Sequence, residues 1–403
     1  MTSASIALGQ QQAFLRLWRR VQPHARSDRN LPSRIQDALR DRKFGSRDRR
    51  LYRELLYTAV RHLPWVEELA GRSDAEAARA VAWLAAPTPA TRSYRTALLP
   101  GWPEVPGPMS GRAQQLGVSR ALIPEWFRNH CPAAFASPNL EVLHSRAPLW
   151  IRLQAPDSAV VSSELAAKGW PVRWAGVLPA AGEIEAEADV ASCRGFAEGR
   201  FEIQDLGSQL VLASAAIAPG GRWLDACAGA GGKTLQLAGL QGPAGRVDAF
   251  DIRAEALAEL RARAQRGGFT NIRVLEEVPD APAYDGVLVD APCSGSGTWR
   301  RAPHLKWCTT EADIAAHAAT QQQLLARFSR LVRPGGLLLY ATCSLSRREN
   351  QDVVAAFCAG HPGFTAAHPV RSFGCPQDAL GLTILPAIHN TDGFFVSGLR
   401  RNP

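Results

Sequence analysis

Four short apolar runs in the second half of the chain constrain its fold more than any other feature. They are Trp223-Leu224-Asp225-Ala226-Cys227, Val247-Asp248-Ala249-Phe250-Asp251, Gly286-Val287-Leu288-Val289 and Leu337-Leu338-Leu339-Tyr340. Largely apolar runs of this length, without steady polar alternation, are the pattern of strands buried on both faces, which is the situation inside a parallel sheet. Helix-like stretches separate them, so from about residue 206 the chain reads strand, helix, strand, helix. That order predicts a doubly wound α/β sheet, Rossmann-like in type, over residues 206–403. In such a sheet the strand ends share one edge, and ligands bind there. The residues that close these runs, Asp225, Asp251, Asp290 with Cys293, and Cys343, are therefore the candidate site.

The first half reads differently. Residues 1–83 carry apolar positions at helical spacing, such as Ala13, Leu17 and Val21, then Leu51, Leu55, Leu56, Ala59, Val60 and Leu63. Between them lie Arg34, Arg40, Arg42, Lys43, Arg47, Arg49, Arg50 and Arg53, with Asp37, Asp41 and Asp48 interspersed. A small basic helical domain follows, whose charged stretch either contacts RNA or forms a solvated face. Pro87, Pro89, Pro100, Pro103, Pro106 and Pro108 interrupt the next segment, so residues 84–146 are expected to be a linker with short helices. Residues 147–205 alternate strand-like and helix-like pieces, from Leu149-Trp150-Ile151-Arg152-Leu153 to Phe201-Glu202-Ile203, and predict a small α/β module. The formal charge of +9 suits a phosphate-rich partner, with general surface basicity as the alternative. The eight cysteines show no CxxC pair and the nine histidines no metal spacing, so neither a disulfide framework, nor a zinc site, nor any other metal is expected. Reduced thiols point to the cytoplasm. No apolar stretch is long enough to span a bilayer, and no signal-peptide core is present at the N-terminus.

The first strand runs into Ala228-Gly229-Ala230-Gly231-Gly232-Lys233-Thr234. Glycines here let the backbone approach a ligand and free the amides of the following helix. A P-loop would need glycine where Cys227 stands, and the dinucleotide fingerprint would need it at Thr234, so both fail. What remains is an adenosine-type ligand held without a phosphate-wrapping loop. Asp225 can accept from a ligand ammonium, and Asp251 can chelate two ribose hydroxyls. The combination suggests S-adenosylmethionine, held by Asp225, Ala226, Cys227, Ala228, Gly229, Ala230, Gly231, Gly232, Lys233, Asp251 and Asp290. A tight strand-to-helix turn and a helix cap at Asp251 are the structural alternatives.

The ordered motifs Asp225-Ala-Cys-Ala-Gly-Ala-Gly-Gly-Lys-Thr234, Asp290-Ala-Pro-Cys-Ser-Gly-Ser-Gly297, Arg300-Arg-Ala-Pro-His-Leu-Lys-Trp307, Gln321-Gln-Gln-Leu-Leu325 and Tyr340-Ala-Thr-Cys-Ser-Leu-Ser346 with Glu349-Asn350 resemble the Nop/Sun (RsmB-type) family of RNA cytosine-5 methyltransferases. The resemblance covers roughly residues 200–400. Upstream, Phe44-Gly-Ser-Arg-Asp-Arg-Arg50 is similar to the NusB-like domain of the bacterial ribosomal RNA members. The resemblance implies a class I S-adenosylmethionine-dependent fold and covalent catalysis. Cys343 would add to carbon 6 of cytosine, and Cys293 would assist loss of the carbon-5 proton and enzyme release. Asp290 would bond the cytosine edge and Lys233 would orient it; a solvent-facing first-turn lysine is the alternative. Arg300, Arg301, Lys306 and Trp307 would grip RNA phosphates and stack on a base, or else pack structurally.

Two departures stand out. The turn reads Ala-Gly-Ala-Gly where many members have Ala-Ala-Pro-Gly or Ala-Pro-Gly, and the adenine-contacting aspartate has no clear equivalent, with Glu276 and Asp280 nearby but unassigned. Cys131, Cys193, Cys358 and Cys375 are expected in the core, Cys227 in the turn, and Cys308 has no assigned role. His304, His317 and His389 are expected to be surface or packing residues, and His389-Asn-Thr-Asp-Gly-Phe-Phe-Val396 a closing strand. The function expected is methylation of a cytidine in structured RNA, ribosomal RNA before transfer RNA. DNA cytosine-5 methylation and an idle RNA-binding assembly factor are the alternatives. The sequence fixes no oligomeric state.

Overall fold

The computed structural model describes residues 2–154 and 157–403. Two compact units divide the chain, one of Ala147–Gly297 with Glu311–Pro403, the other of the residues up to Arg146 with Thr298–Thr310. The first unit opens with an antiparallel sheet of β1 (Leu149–Leu153), β2 (Val172–Trp174), β3 (Ala181–Ile184) and β4 (Phe201–Ile203), in the order β2-β3-β1-β4. One helix, Ser158–Ala167, packs Val161 and Leu165 into its core beside Ile151, Ile184 and Phe201. Asp157 caps that helix by accepting from the Val160 amide.

The large sheet then follows, with β5 (Arg222–Asp225), β6 (Arg246–Ala249), β7 (Ile272–Val274), β8 (Tyr284–Asp290), β9 (Val332–Thr342), β10 (Phe364–Ala367), β11 (Leu382–Ile384) and β12 (Phe394–Arg401). Its order is β10-β12-β9-β8-β5-β6-β7, with β11 paired to β12. The five strands β5 to β9 are mutually parallel, while β12 runs antiparallel to β9. The doubly wound α/β expectation therefore holds, with an antiparallel segment at one side.

Burial shows why these runs are strands. Along β9, Leu337, Leu339 and Ala341 enter one core while Leu338 and Tyr340 enter another. Along β8, Leu288 joins the first core, and Val287 and Val289 the second. The period of two with both sets buried is what a sheet covered by helices on each face requires. The helix Glu311–Ser329 supplies one cover, burying Ile314, Ala318, Gln321, Leu325 and Phe328 at steps of four, three, four and three. Glu311 and Asp313 sit in its first turn, where acids complement the helix dipole. The β8–β9 register pairs Leu288 with Leu339 and Asp290 with Ala341, so both cysteine loops leave at one edge.

The second unit is helical, with Ser3–Val21, Leu31–Leu39, Ser46–Arg61, Leu63–Ala70 and Asp74–Leu84 among its helices. Residues 84–146 hold the short helices expected there, but these pack into the helical core instead of forming a linker. Helices Pro89–Leu98 and Met109–Leu116 lie there, and Ala90, Tyr94, Leu98, Met109 and Leu116 join the same core as Phe14 and Leu55. Proline misleads here because it stands at helix starts, where no amide hydrogen bond is lost. Pro89 opens its helix behind a Thr88–Thr91 capping box, and Pro108 caps the next. In the basic stretch Arg34, Arg40, Arg42, Lys43, Arg47, Arg50 and Arg53 are exposed, with Arg34 paired to Asp28 and Arg40 to Asp37. Among the described residues no helix is long and apolar enough to cross a membrane.

Candidate active site

Strand β5 ends at Asp225, and the chain turns through Gly229 and Gly231 into the helix Gly232–Gln241. Gly231 has φ +88°, and a Cβ there would meet Leu260 Cγ at 2.7 Å. The turn thus needs glycine for conformation and for space. No side chain caps the helix start, so its first amides remain open to a ligand.

A cavity of about 590 Å³ adjoins the turn, lined by Gly229, Lys233, Asp251, Ile252, Asp290, Leu324, Arg327 and Phe328, among others. Its size suits a nucleoside-type ligand. Asp225 is buried, with Oδ2 accepting from Thr234 Oγ1 at 2.7 Å and Oδ1 lacking any hydrogen-bond partner among the described residues. Burial, countered in part by Thr234, pushes its carboxyl up to about 7. An orphaned buried acceptor of this kind fits a ligand ammonium.

Asp251 lies just past β6, and its four hydrogen bonds are all local. Gly229 N donates to Oδ2 at 2.8 Å, and Arg253 donates through its amide at 2.9 Å and its guanidinium at 3.0 Å to each oxygen. Burial would raise this carboxyl, but those bonds outweigh it and hold it below the ordinary range. The Arg253 side chain is 65% exposed, so a ribose diol can replace its guanidinium at little cost. Arg253, not Asp251, occupies the cap position of the helix Ala254–Arg266. Glu276 and Asp280 line a neighbouring cavity that shares Phe250 and Arg327 with the one beside the glycine turn.

Lys233 is buried rather than solvent-facing, and Nζ contacts Asp290 Oδ2 at 2.9 Å. Burial alone would pull its ammonium down, but Asp290, Cys343 and Asp225 outweigh it and hold it above the usual lysine range. This explains a cation at a helix N-terminus, which the dipole alone disfavours. Cys227 is pushed up by burial and by Asp225, Asp290 and Asp251, so it stays an inert thiol lining the turn.

Beyond Asp290 the two thiols meet. Cys293 Sγ and Cys343 Sγ are 3.3 Å apart, a hydrogen-bond contact between free thiols. The Cys293 thiol is pushed well up, first by its bond with Cys343, then by burial and by the Cys343 and Glu349 charges. The Cys343 charge is among those that favour the Lys233 ammonium, so the cation and this thiol are electrostatically coupled. Glu349, Gln321, Ser294 and Ser344 form a buried network around the pair that sequence reasoning did not identify. The Glu349-Asn350 motif was visible, but nothing local shows what it touches.

The four residues expected to contact RNA are not brought to this site as a group. Lys306 is 2% exposed inside the helical unit, where Nζ donates to Arg61 O at 2.9 Å and lies 2.8 Å from His144 Nε2. Trp307 Nε1 donates to Val60 O at 2.7 Å, and buried Arg300 donates to Arg146 O at 2.8 Å. These three are packing residues because Thr298–Thr310 is folded into the helical core; only Arg301 is exposed. His304 is buried as well, and His389 bonds Phe373 O. Cys131, Cys193 and Cys375 are buried, while Cys358 is half-buried against the second core of the large sheet.

The family described as 16S rRNA methyltransferase RsmB/F matches residues 213–400. The chain is 32% identical over 292 residues to the ribosomal RNA small subunit methyltransferase B of Sodalis glossinidius, a match covering 68% of this chain and 65% of that protein. A Bacillus subtilis protein described as a probable enzyme of the same name is 30% identical over 326 residues, covering 77% of this chain and 72% of its own length. The crystal structure of PH0851 superposes with a TM-score of 0.73 at 22% identity, covering 100% of this chain and 99% of that one. The chain thus spans about two thirds of the length of these two relatives, and the likeness to the solved structure concerns the fold.

Proposed function

The chain belongs to the RsmB/F family of 16S rRNA methyltransferases, within the Nop/Sun RNA cytosine-5 methyltransferases, and on that premise we propose that it methylates carbon 5 of a cytidine in ribosomal RNA. Carbon 5 of cytosine is a poor nucleophile until a thiolate adds to carbon 6. Cys343 is the attacking group. Its sulfur bonds to carbon 6, the ring electrons move toward carbon 5, and Asp290 with Lys233 holds the base edge where charge collects. When bound, S-adenosylmethionine supplies an electrophilic methyl group. Asp225, Asp251 and the turn Gly229 to Gly232 are the groups that hold it. With Cys343 tied up in the adduct, its charge no longer opposes ionisation of Cys293. Cys293 gives its proton to water and, as the thiolate, takes the carbon-5 proton of the methylated base. The electrons of that carbon–hydrogen bond re-form the ring double bond, the carbon–sulfur bond breaks and the Cys343 thiolate is restored.

The observation that carries this reading is the 3.3 Å contact of two thiols at neighbouring strand ends, beside the Lys233–Asp290 pair. The exposed arginines of Ser46–Arg61 and its approach, with Arg301, are the groups proposed to meet RNA phosphates. The cytoplasm as compartment and ribosomal RNA as partner are part of the same proposal. Undermodified small-subunit RNA with labelled cofactor tests the proposal. Wild type should yield 5-methylcytidine, Cys343→Ala should give neither product nor protein-linked RNA, and Cys293→Ala should accumulate the linked species. If Cys343→Ala still forms the adduct and Cys293→Ala does not, the thiols have the opposite roles, as in DNA cytosine methylation. Folded wild type that labels no undermodified RNA would mark an assembly factor instead.

A further inference from the structure

Two thiols in contact pose a problem that the mechanism leaves open, since they share one environment and yet must differ in protonation. Glu349 lies at the end of the short turn Arg347–Glu349, fully buried, and four donors converge on it. Ser294 donates through its amide at 2.7 Å and its hydroxyl at 2.5 Å. Ser344 donates its hydroxyl at 2.6 Å, and Gln321 Nε2 lies at 3.3 Å. Ser294 follows Cys293 and Ser344 follows Cys343, so one carboxylate is bonded to both cysteine loops. Four donors and no acceptor form the pattern of an ionised carboxylate, an acceptor-only group. No salt bridge to Glu349 is found among the described residues, which leaves its charge uncompensated by a cation and therefore felt by its neighbours.

The surrounding bonds stiffen the arrangement. Gln321 also donates to Pro292 O at 2.9 Å, on the other side of Cys293. Asn350 donates to Ser344 O at 2.9 Å and accepts from Thr342 Oγ1 at 2.6 Å, bracketing Cys343. An amide could accept from only two of these four donors and would turn its NH2 toward the others, so the site calls for a group that accepts through both oxygens, a carboxylate. Opposite charges flank the pair: the Glu349 carboxylate acts on Cys293, and the Lys233 ammonium interacts with Cys343.

We propose that Glu349 is the positioning residue that makes the two thiols inequivalent, fixing their contact through Ser294 and Ser344 and keeping the proton on Cys293 while Cys343 ionises. The inference rests on the assignment of Cys343 as the attacking thiol. It is tested without RNA or cofactor, so its failure and that of the proposed function are distinguishable. In the full-length chain, alkylation by iodoacetamide is followed at each cysteine by mass spectrometry from about pH 6 to pH 10. In wild type, Cys343 should titrate at least about one pH unit below Cys293, a tenfold rate difference at neutral pH. In a Cys343→Ala background, where the contact with the other thiol is gone, adding Glu349→Gln should shift the Cys293 profile down by about one unit. Glu349→Asp, which keeps the charge, should leave it high. In a Cys293→Ala background, Glu349→Gln should move the Cys343 profile by less. Wild type in which Cys293 titrates with or before Cys343 overturns the proposal whether or not the variants fold. Folded Glu349→Gln that leaves the Cys293 profile in place, or shifts both thiols equally, overturns it too.

Discussion

Asp225, buried behind the cavity wall that starts at Ala226, offers a direct test of the proposed ammonium site. Its carboxyl is raised from 3.8 to about 7, chiefly by burial. A raised pKa means that the folded state holds the proton more tightly than the unfolded chain. The associated stability is complete below about pH 4 and is lost as pH climbs through about 7. The shift is roughly three units, so the ionised carboxylate costs the ligand-free fold about 4 kcal/mol above pH 7. Asp225→Asn removes that cost while its amide oxygen still accepts from Thr234. The variant should melt higher than wild type, and the gap should widen by about 2 kcal/mol between roughly pH 5.5 and pH 8, which is several degrees for a domain of this size. Ligand binding should move oppositely. An ammonium beside Asp225 favours the anion, so the affinity of wild type for S-adenosylhomocysteine should rise with pH toward 7 and then level off. The variant should bind weakly and without that slope. Paired melts and calorimetric titrations measure both quantities. A melting gap that is constant or narrows with pH, or a flat wild-type affinity, would refute the assignment of a buried, unpaired acid at the ammonium site.

Four further outcomes follow from the geometry. Arg253→Ala frees Asp251 for a ribose diol, and since the displaced pair is exposed, cofactor affinity should hold or rise by up to about fivefold; calorimetry showing a tenfold loss would contradict it. Lys306→Ala strips a buried donor from Arg61 O and His144 and should destabilise the helical unit by about 1–3 kcal/mol in chemical denaturation, without altering the salt dependence of RNA binding. Arg301→Ala should do the reverse, lowering the slope of affinity against salt with little effect on stability. Gly231→Ala combines a φ of +88° with a Cβ 2.7 Å from Leu260 Cγ and should cost at least about 2 kcal/mol, together with cofactor binding, in thermal melts and titrations.

Local pattern made much of the catalytic half legible. Runs such as Leu337–Tyr340 are apolar on both faces because each face meets a separate core, and that is visible residue by residue. The glycine turn and the acids at strand ends follow from the same edge geometry. Local pattern failed where partners lie far away in sequence. Lys306 and Trp307 look like nucleic-acid contacts because charge and aromaticity are local properties, while their burial depends on packing against Val60, Arg61 and His144. Pro89 and Pro108 look like breaks because a proline's cost depends on where in a helix it falls.

The sequence by itself determined that a parallel sheet forms and that two cysteines stand at its ligand edge, because strand period and turn chemistry are written within a few residues. Only the tertiary structure decided that those sulfurs lie 3.3 Å apart, with Lys233 and Glu349 near them. That distance comes from the β8–β9 register, which joins segments some fifty residues apart in the chain. Protonation of a thiol depends on the charges that surround it in space, and no order of residues along the chain specifies those.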